Sequence, residues 1–179
     1  MSTVVVYESM FGNTEEIAKA IAAGLRPSAD VIVLEVSDAP RQVGGDVDLL
    51  VVGGPTHAFG MTRRSTREDA GKQADGQIVS RGGGIREWLM SLPGGRSGPP
   101  VATFDTRIEK VRRLPGSAAR GAARLLHRRG YRMIAPPQSF YVTDVSGPLA
   151  EGELERARRW GKELASALTY PDHRLSGEK

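Results

Sequence analysis

Short apolar runs alternate with segments of helical periodicity along this chain. Ile17, Ile21 and Leu25 repeat at helical spacing near the start. Near the end a similar inner stripe is formed by Leu154, Ala157, Gly161, Leu164 and Leu168. The apolar runs have strand length and are rich in β-branched residues, which is typical of strands buried on both faces. They cover Thr3–Tyr7, Val31–Leu34, Leu49–Val52, Val101–Phe104, and Met133–Ile134 with a continuation at Ser139–Val142. This alternation predicts an α/β domain of three layers, with a parallel sheet between helices.

The loops that follow the strands are where we expect a ligand. In an open α/β sheet, ligands bind outside the carboxyl ends of the strands. Three such loops carry suitable residues: Ser9–Thr14 after the first run, Gly53–Gly60 after the third and Asp105–Arg107 after the fourth. We therefore expect these three loops to share one rim.

The first loop, Ser9–Thr14, predicts an anion site. Its amides lie at the start of a helix, where the helix dipole favours negative charge. Hydroxyls stand at both ends of the loop, and Gly12 permits close approach of the backbone. No Lys or Arg precedes Lys19, and neither the P-loop nor the GxGxxG pattern is present, which argues against a nucleoside triphosphate or a dinucleotide. A helix capped by Asn13 or Thr14, without a ligand, is the alternative.

The same loop carries a family resemblance. A strand followed by Ser9, two further residues and Gly12-Asn13-Thr14-Glu15 resembles the FMN-phosphate loop of flavodoxin-like proteins, in particular the branch that includes flavodoxin-like quinone reductases. The resemblance implies one α/β domain over residues 1–170, a three-layer flavodoxin-like open parallel sheet of five strands in the order 2-1-3-4-5, with a tail at 171–179. It implies FMN as the cofactor. The phosphate would be bound by Ser9, Met10, Phe11, Gly12, Asn13 and Thr14.

The resemblance assigns the other two loops to the flavin ring. Phe59 is the expected ring neighbour, and His57 is the only histidine on the rim and a candidate proton donor. The third loop matches by position, but no aromatic follows Phe104 until Tyr131, so we expect the two-aromatic sandwich of carrier flavodoxins to be missing. Alternatively, Phe59 is a packing residue and His57 is solvated. The residues assigned to the ring are Pro55, Thr56, His57, Phe59, Gly60, Asp105, Thr106 and Arg107.

A polar stretch follows the second loop. Residues 61–80 contain Arg63, Arg64, Arg67 and Lys72 and show little hydrophobic periodicity. Connections of this length are usually functional lids or disordered segments. Both interpretations stay open for 61–80.

Charge is unevenly distributed. The 179 residues hold 25 Lys and Arg against 21 Asp and Glu, yet the window from Arg107 to Arg132 contains nine basic residues and one acid. Arg120, Arg124 and Arg128 would form one outer stripe of a helix that starts after Ser117. A solvated face is one explanation, and a redox partner with an acidic docking surface is another. Nucleic acid is disfavoured, because the window offers no aromatic for stacking until its edge.

Composition limits the chemistry. The absence of cysteine excludes disulfides, thiolate catalysis and thiolate metal sites, and we expect neither a metal nor a catalytic side chain. No apolar run reaches the length of a membrane span and no basic segment precedes the first strand, so a cytoplasmic protein is expected.

The leading hypothesis for the function is electron transfer through bound FMN. The alternatives are an NAD(P)H-dependent quinone reductase and an interaction module that has lost FMN. A cation at Arg107 would raise the reduction potential of the flavin.

Overall fold

Strands and helices alternate in the computed structural model, which describes residues 1–73, 78–80 and 82–169. Over these residues the strands are β1 Ser2–Tyr7, β2 Asp30–Glu35, β3 Leu49–His57, β4 Gly60–Met61, β5 Val101–Ile108 and β6 Gln138–Val142. The helices are α1 Asn13–Leu25, α2 Arg64–Gln73, α3 Ile85–Ser91, α4 Ala118–Arg128 and α5 Glu153–Thr169, with short 3-10 turns at Gly95–Ser97 and Glu109–Val111.

Five strands form a parallel sheet in the order β2-β1-β3-β5-β6. This is the predicted order of five strands, and the prediction of a flavodoxin-like α/β sheet is confirmed. The short strand β4 was not predicted. It folds back on the end of β3 as an antiparallel hairpin, with Thr56 opposite Met61 and His57 opposite Gly60.

Two apolar layers cover the sheet, one on each face. On one face α1 and α5 cover the sheet, and Trp160 of α5 meets Phe104 and Phe140 of the strands. The three rings lie edge to face with centroids 6.1–6.4 Å apart. On the other face α3 and α4 contribute Trp88 and Leu126. Both tryptophans are therefore packing residues, and the central strands are buried on both sides as their apolar runs predict.

Helices α1 and α5 approach closely at two glycines. A Cβ on Gly161 would collide with the carbonyl oxygen of Ile21, and one on Gly24 would collide with that of Arg158. The inner stripe predicted for α5 is buried at Ala157, Gly161 and Leu164 but not at Leu154, which is 44% exposed. This contact fixes the axis of α1, and with it the loop that precedes α1.

Two predicted loops are parts of strands. The prediction that Asp105–Arg107 forms a loop is wrong, because β5 continues to Ile108. Likewise β3 continues to His57, so residues 53–57 belong to the strand. The apolar runs end at Val52 and Phe104, but ladder pairing continues beyond them to Pro55 opposite Thr106. Backbone pairing thus extends both strands past the point where their side chains cease to be apolar.

Residues 61–80 contain structure that their polar composition did not predict. Helix α2 occupies Arg64–Gln73, and it buries Ala70. Val79 and Ser80 donate backbone hydrogen bonds to the carbonyl oxygens of Met10 and Ser9. The expectation of one long loop is therefore wrong for 64–73, while residues 74–77 and the predicted tail at 171–179 lie outside the described residues. Among the described helices, none is long and apolar enough to cross a membrane.

Candidate functional site

A cleft of about 220 Å³ opens at the carboxyl ends of β1, β3, β5 and β6. It is smaller than the roughly 300–1,000 Å³ of typical small-molecule pockets, so a larger ligand would lie partly on the open rim. Its lining comes from all three predicted segments and from the end of β6. The residues are Ser9, Met10, Phe11, Asn13, Thr14, Pro55, Thr56, His57, Ala58, Thr106, Arg107, Ile108, Val142 and Val145.

The first loop is organised by the hydroxyl of Ser9. Its Oγ accepts hydrogen bonds from the amides of Gly12 (3.1 Å) and Glu15 (3.4 Å). Gly12 is the N-cap of α1, with a φ of 89°, a left-handed conformation that favours glycine. Because the N-cap is Gly12, the expected cap at Asn13 or Thr14 is wrong. Whether the loop binds a ligand stays a prediction.

Several amides of this loop remain available to a ligand. The backbone N–H groups of Met10, Phe11, Asn13 and Thr14 have no hydrogen-bond partner among the described residues. Free amides at the N-terminus of a helix of 13 residues are able to donate to an anion, and the helix dipole favours negative charge there. The site needs no Lys or Arg of its own.

Hydroxyl groups join this loop to β5. The hydroxyls of Thr14 and Thr106 lie 2.7 Å apart, and both side chains are buried. If Thr106 donates in this pair, the proton of Thr14 is free for a ligand in the cleft. Thr106 therefore supports the loop from below.

The hairpin between β3 and β4 forms the second wall. Its turn residues Ala58 and Phe59 have positive φ values of 45° and 62°. The Thr56 hydroxyl accepts a hydrogen bond from the Ala118 amide (2.8 Å) and so ties the hairpin to α4. His57 lines the cleft, and burial lowers the pKa of its imidazole below the ordinary value of 6.5. A neutral imidazole therefore prevails there at neutral pH.

Arg107 is a buried cation on the third wall. Its Nη2 donates to the carbonyl oxygens of Val111 (2.7 Å) and Leu114 (3.2 Å), while its Nε is buried without a partner among the described residues. None of the described carboxylates forms an ion pair with it. The cleft therefore has a positive charge that no described acid compensates.

Four of the predicted site residues do not line the cleft. Gly12 shapes the first loop, and Asp105 is a buried cap whose Oδ2 accepts from the Ala119 amide (2.8 Å) at the start of α4. Phe59 and Gly60 face a separate groove, where the side chain of Phe59 is 53% exposed. Their assignment to the flavin stays a prediction.

Four apolar residues of the lining, Ala58, Ile108, Val142 and Val145, were not predicted from the sequence. Val142 ends β6, and Val145 lies in the loop that follows. Asn13 holds this loop, because its Nδ2 donates to the carbonyl oxygen of Ser146 (3.0 Å). The end of the fifth predicted strand was the available signal, since all parallel strands end at the same rim.

A buried support beneath the first loop was also missed. The amide of Ser9 donates to the Oγ of Ser80 (2.9 Å). Next to it, the carboxylate of Glu8 is fully buried and accepts from the Thr62 hydroxyl (2.6 and 2.7 Å) and the Ile85 amide (2.8 Å). Burial raises the pKa of Glu8, and these hydrogen bonds lower it in part. Thr62, Ser80 and Ile85 thus hold Glu8 and the first loop from behind.

The described residues contain no group of three or more His, Asp or Glu side chains that could bind a metal. The polar groups that line the cleft are amides, hydroxyls, one imidazole and one guanidinium.

Comparisons with known proteins agree with this architecture. The family model described as Flavodoxin matches residues 5–82, which include the first loop and the hairpin. No curated protein matches the chain. A flavodoxin from the domain Archaea is 21% identical, with 95% of this chain and 100% of that one covered and a TM-score of 0.60. A flavodoxin from Streptococcus pneumonia TIGR4 is 19% identical (93% and 99% covered, TM-score 0.59). The flavodoxin of Megasphaera elsdenii is 17% identical (92% and 99% covered, TM-score 0.56).

The two kinds of comparison cover different lengths of the chain. The solved structures are similar over nearly the whole chain and show its fold. The family model matches the segment that carries the first loop and the second wall of the cleft. The chain therefore has the flavodoxin fold, and residues 5–82 match the flavodoxin family.

Proposed function

We propose that this protein binds FMN in the cleft and transfers electrons through it. The observation that carries the proposal is the set of unpartnered amides at the start of α1, in the segment that matches the flavodoxin family. A phosphate dianion satisfies such amides without a cation.

The residues of the cleft fit FMN at both ends. Met10, Phe11, Asn13 and Thr14 offer amides to the phosphate, and the Ser9 hydroxyl has a proton that no described acceptor takes. At the opposite wall, the buried Nε of Arg107 lacks an acceptor. A carbonyl or an anionic nitrogen of the flavin would supply one.

Flavin supplies one- and two-electron transfer when bound. The chain contributes binding, orientation and electrostatics. Met10, Pro55, Val142 and Val145 give the cleft apolar walls that exclude water, while the neutral imidazole of His57 offers a hydrogen bond without adding charge. With flavin bound, the guanidinium of Arg107 would stabilise the negative charge of the reduced ring and so favour the reduced state.

Retention of FMN is the direct test. Purified protein incubated with FMN and then desalted should keep visible flavin absorbance near one equivalent. A colourless protein with no heat of FMN binding would contradict the proposal.

If flavin is retained, oxidation of NAD(P)H with and without a quinone distinguishes a carrier from a quinone reductase. A carrier should show no quinone-dependent turnover.

The charge of Arg107 gives a second test. The buried guanidinium contacts two carbonyl oxygens, so an acidic replacement would threaten folding. Arg107→Met removes the charge at similar length, and Arg107→Lys keeps the charge as the control. We expect a redox titration to give a lower reduction potential for Arg107→Met and a smaller change for Arg107→Lys. Equal potentials in all three proteins would contradict the role of Arg107.

A further inference from the structure

A groove of about 460 Å³ lies beside the cleft, between α3, α4 and the hairpin. Its walls carry two exposed apolar side chains, Phe59 and Met90, and three arginines, Arg86, Arg124 and Arg128. No acidic residue is among its described lining. Nothing in the proposed chemistry of the cleft requires this combination.

The backbone holds Phe59 in its exposed position. Single exposed apolar residues are common, but Phe59 (53% exposed) and Met90 (60%) share one groove. Phe59 has a φ of 62°, a left-handed conformation that is costly for a residue other than glycine. Gly116, with a φ of 86°, packs against it, since a Cβ there would lie 2.6 Å from the Phe59 carbonyl oxygen. The conformation of the turn therefore holds the ring of Phe59 at the surface.

The arginines of the groove, and Arg120 one turn before Arg124 on the same face of α4, form no ion pair with described acids. Helix α4 contains no Asp or Glu, and none of Arg120, Arg124 and Arg128 forms an ion pair with a described residue. Arg86 is held in place because its guanidinium donates to the carbonyl oxygens of Met61 (3.1 Å) and Thr62 (3.3 Å). The surface offers fixed positive charge around an apolar centre.

The hairpin connects this groove to the cleft. His57 and Ala58 line the cleft, and Phe59 and Gly60, the next two residues, line the groove. A protein seated in the groove would therefore contact the same turn that borders the proposed flavin. Such proximity is what electron exchange between two proteins requires.

We propose that this groove docks an acidic redox protein, which places an apolar side chain against Phe59 and Met90 and carboxylates against Arg120, Arg124 and Arg128. The proposal rests on the proposed function for its redox meaning. Charge complementarity selects the partner, because opposite potentials steer association and like charges are rejected. An aromatic centre with arginines is also the composition favoured at interface cores.

Binding can be tested without flavin. The soluble domain of cytochrome b5, an acidic haem protein, serves as the probe, and basic cytochrome c serves as the counter-probe. On titration with cytochrome b5, the ¹⁵N-labelled chain should show amide shifts at Phe59, Met90 and along α4, and these should weaken at high salt. Cytochrome c should produce none of them. Shifts elsewhere, or no shifts, would overturn the proposal.

Charge-reversal variants define the surface. Replacing Arg120, Arg124 and Arg128 by Glu should weaken binding of cytochrome b5 by about tenfold or more at low salt. Replacing the exposed Arg26, Arg132 and Arg159 by Glu makes the same change of net charge outside the groove, and should weaken binding by less than about threefold. Phe59→Ser should weaken binding at every salt concentration. Equal loss in both triple variants would overturn the proposal.

Two further outcomes separate the hypotheses. A short single-stranded DNA that produces the same shifts with the same salt dependence would indicate a general polyanion surface and overturn the proposal. If the chain retains no FMN but binds cytochrome b5 at the groove, the docking surface stands and the proposed electron transfer fails. If FMN is retained, electron transfer to cytochrome b5 should slow in the groove variants in proportion to binding.

Discussion

The hydroxyl pair between Thr14 and Thr106 permits a sharp test of how β5 supports the first loop. The two oxygens are 2.7 Å apart and buried, so Thr14→Val or Thr106→Val alone leaves one hydroxyl without its partner. Each single change should lower the free energy of unfolding by about 1–2 kcal/mol. The double variant removes both hydroxyls at nearly constant shape, and should lose less than the sum of the two by about 1 kcal/mol.

The same three variants distinguish support from ligand contact. If the Thr14 hydroxyl donates to the phosphate, Thr14→Val removes a charge-assisted hydrogen bond of about 1.5–3 kcal/mol and weakens FMN binding about 10- to 100-fold. Thr106→Val should change FMN affinity by less than about threefold, since Thr106 acts only through Thr14.

Urea unfolding of the apo-protein and quenching of FMN fluorescence measure the two quantities separately. Losses of stability that add to within about 0.3 kcal/mol would refute the coupling of the hydroxyls. Unchanged FMN affinity in Thr14→Val would refute the contact with phosphate, whatever the stability result.

Three further predictions test other parts of the molecule. Ser80→Ala leaves the buried Ser9 amide unpaired and should lower the free energy of unfolding in urea by about 1–3 kcal/mol. The control Ser166→Ala, on the outer face of α5, should change it by less than about 0.5 kcal/mol. Equal losses in the two variants would contradict the support role of Ser80. Gly161→Ala forces a Cβ into the Ile21 carbonyl and should lower the free energy of unfolding by about 3 kcal/mol, as measured by thermal unfolding. Gly71→Ala in α2, where the space around the glycine is open, should leave the stability unchanged or raise it. The imidazole of His57 should titrate below pH 6.5 in NMR, because burial lowers its pKa. Since the unfolded chain then binds more protons, stability should fall as pH decreases through and below 6.5, and His57→Asn should remove that component.

The order of the strands followed from the resemblance to flavodoxin-like proteins, and the strands themselves were predictable because apolar runs report which segments are buried. The ends of β3 and β5 were not, since Gly53, Gly54, Asp105 and Arg107 are held in strands by pairing with neighbours rather than by apolar side chains of their own. Strand ends depend on partners distant in sequence, and composition does not report them.

The candidate site divides in the same way. The first loop was recognisable because its chemistry is local to residues 9–14. The Ser80 hydroxyl that supports it comes from 71 residues away, and Asp105 proved to cap a helix. The residues that line the cleft were easier to predict than those that hold them in place, because the latter act through tertiary contacts.

The packing of α1 against α5 has a consequence for synthesis of the protein. The first loop lies within the first fourteen residues of the chain. Helix α1, which presents the amides of this loop, packs through Gly24 against Arg158 and Gly161 near the other end of the chain. The central strand β3 likewise pairs with β1 and β5, each about fifty residues away, and such non-local pairing slows folding. A nascent chain that ends before α5 therefore carries the loop without its support, and we expect the cleft to form only after nearly all of the domain has left the ribosome.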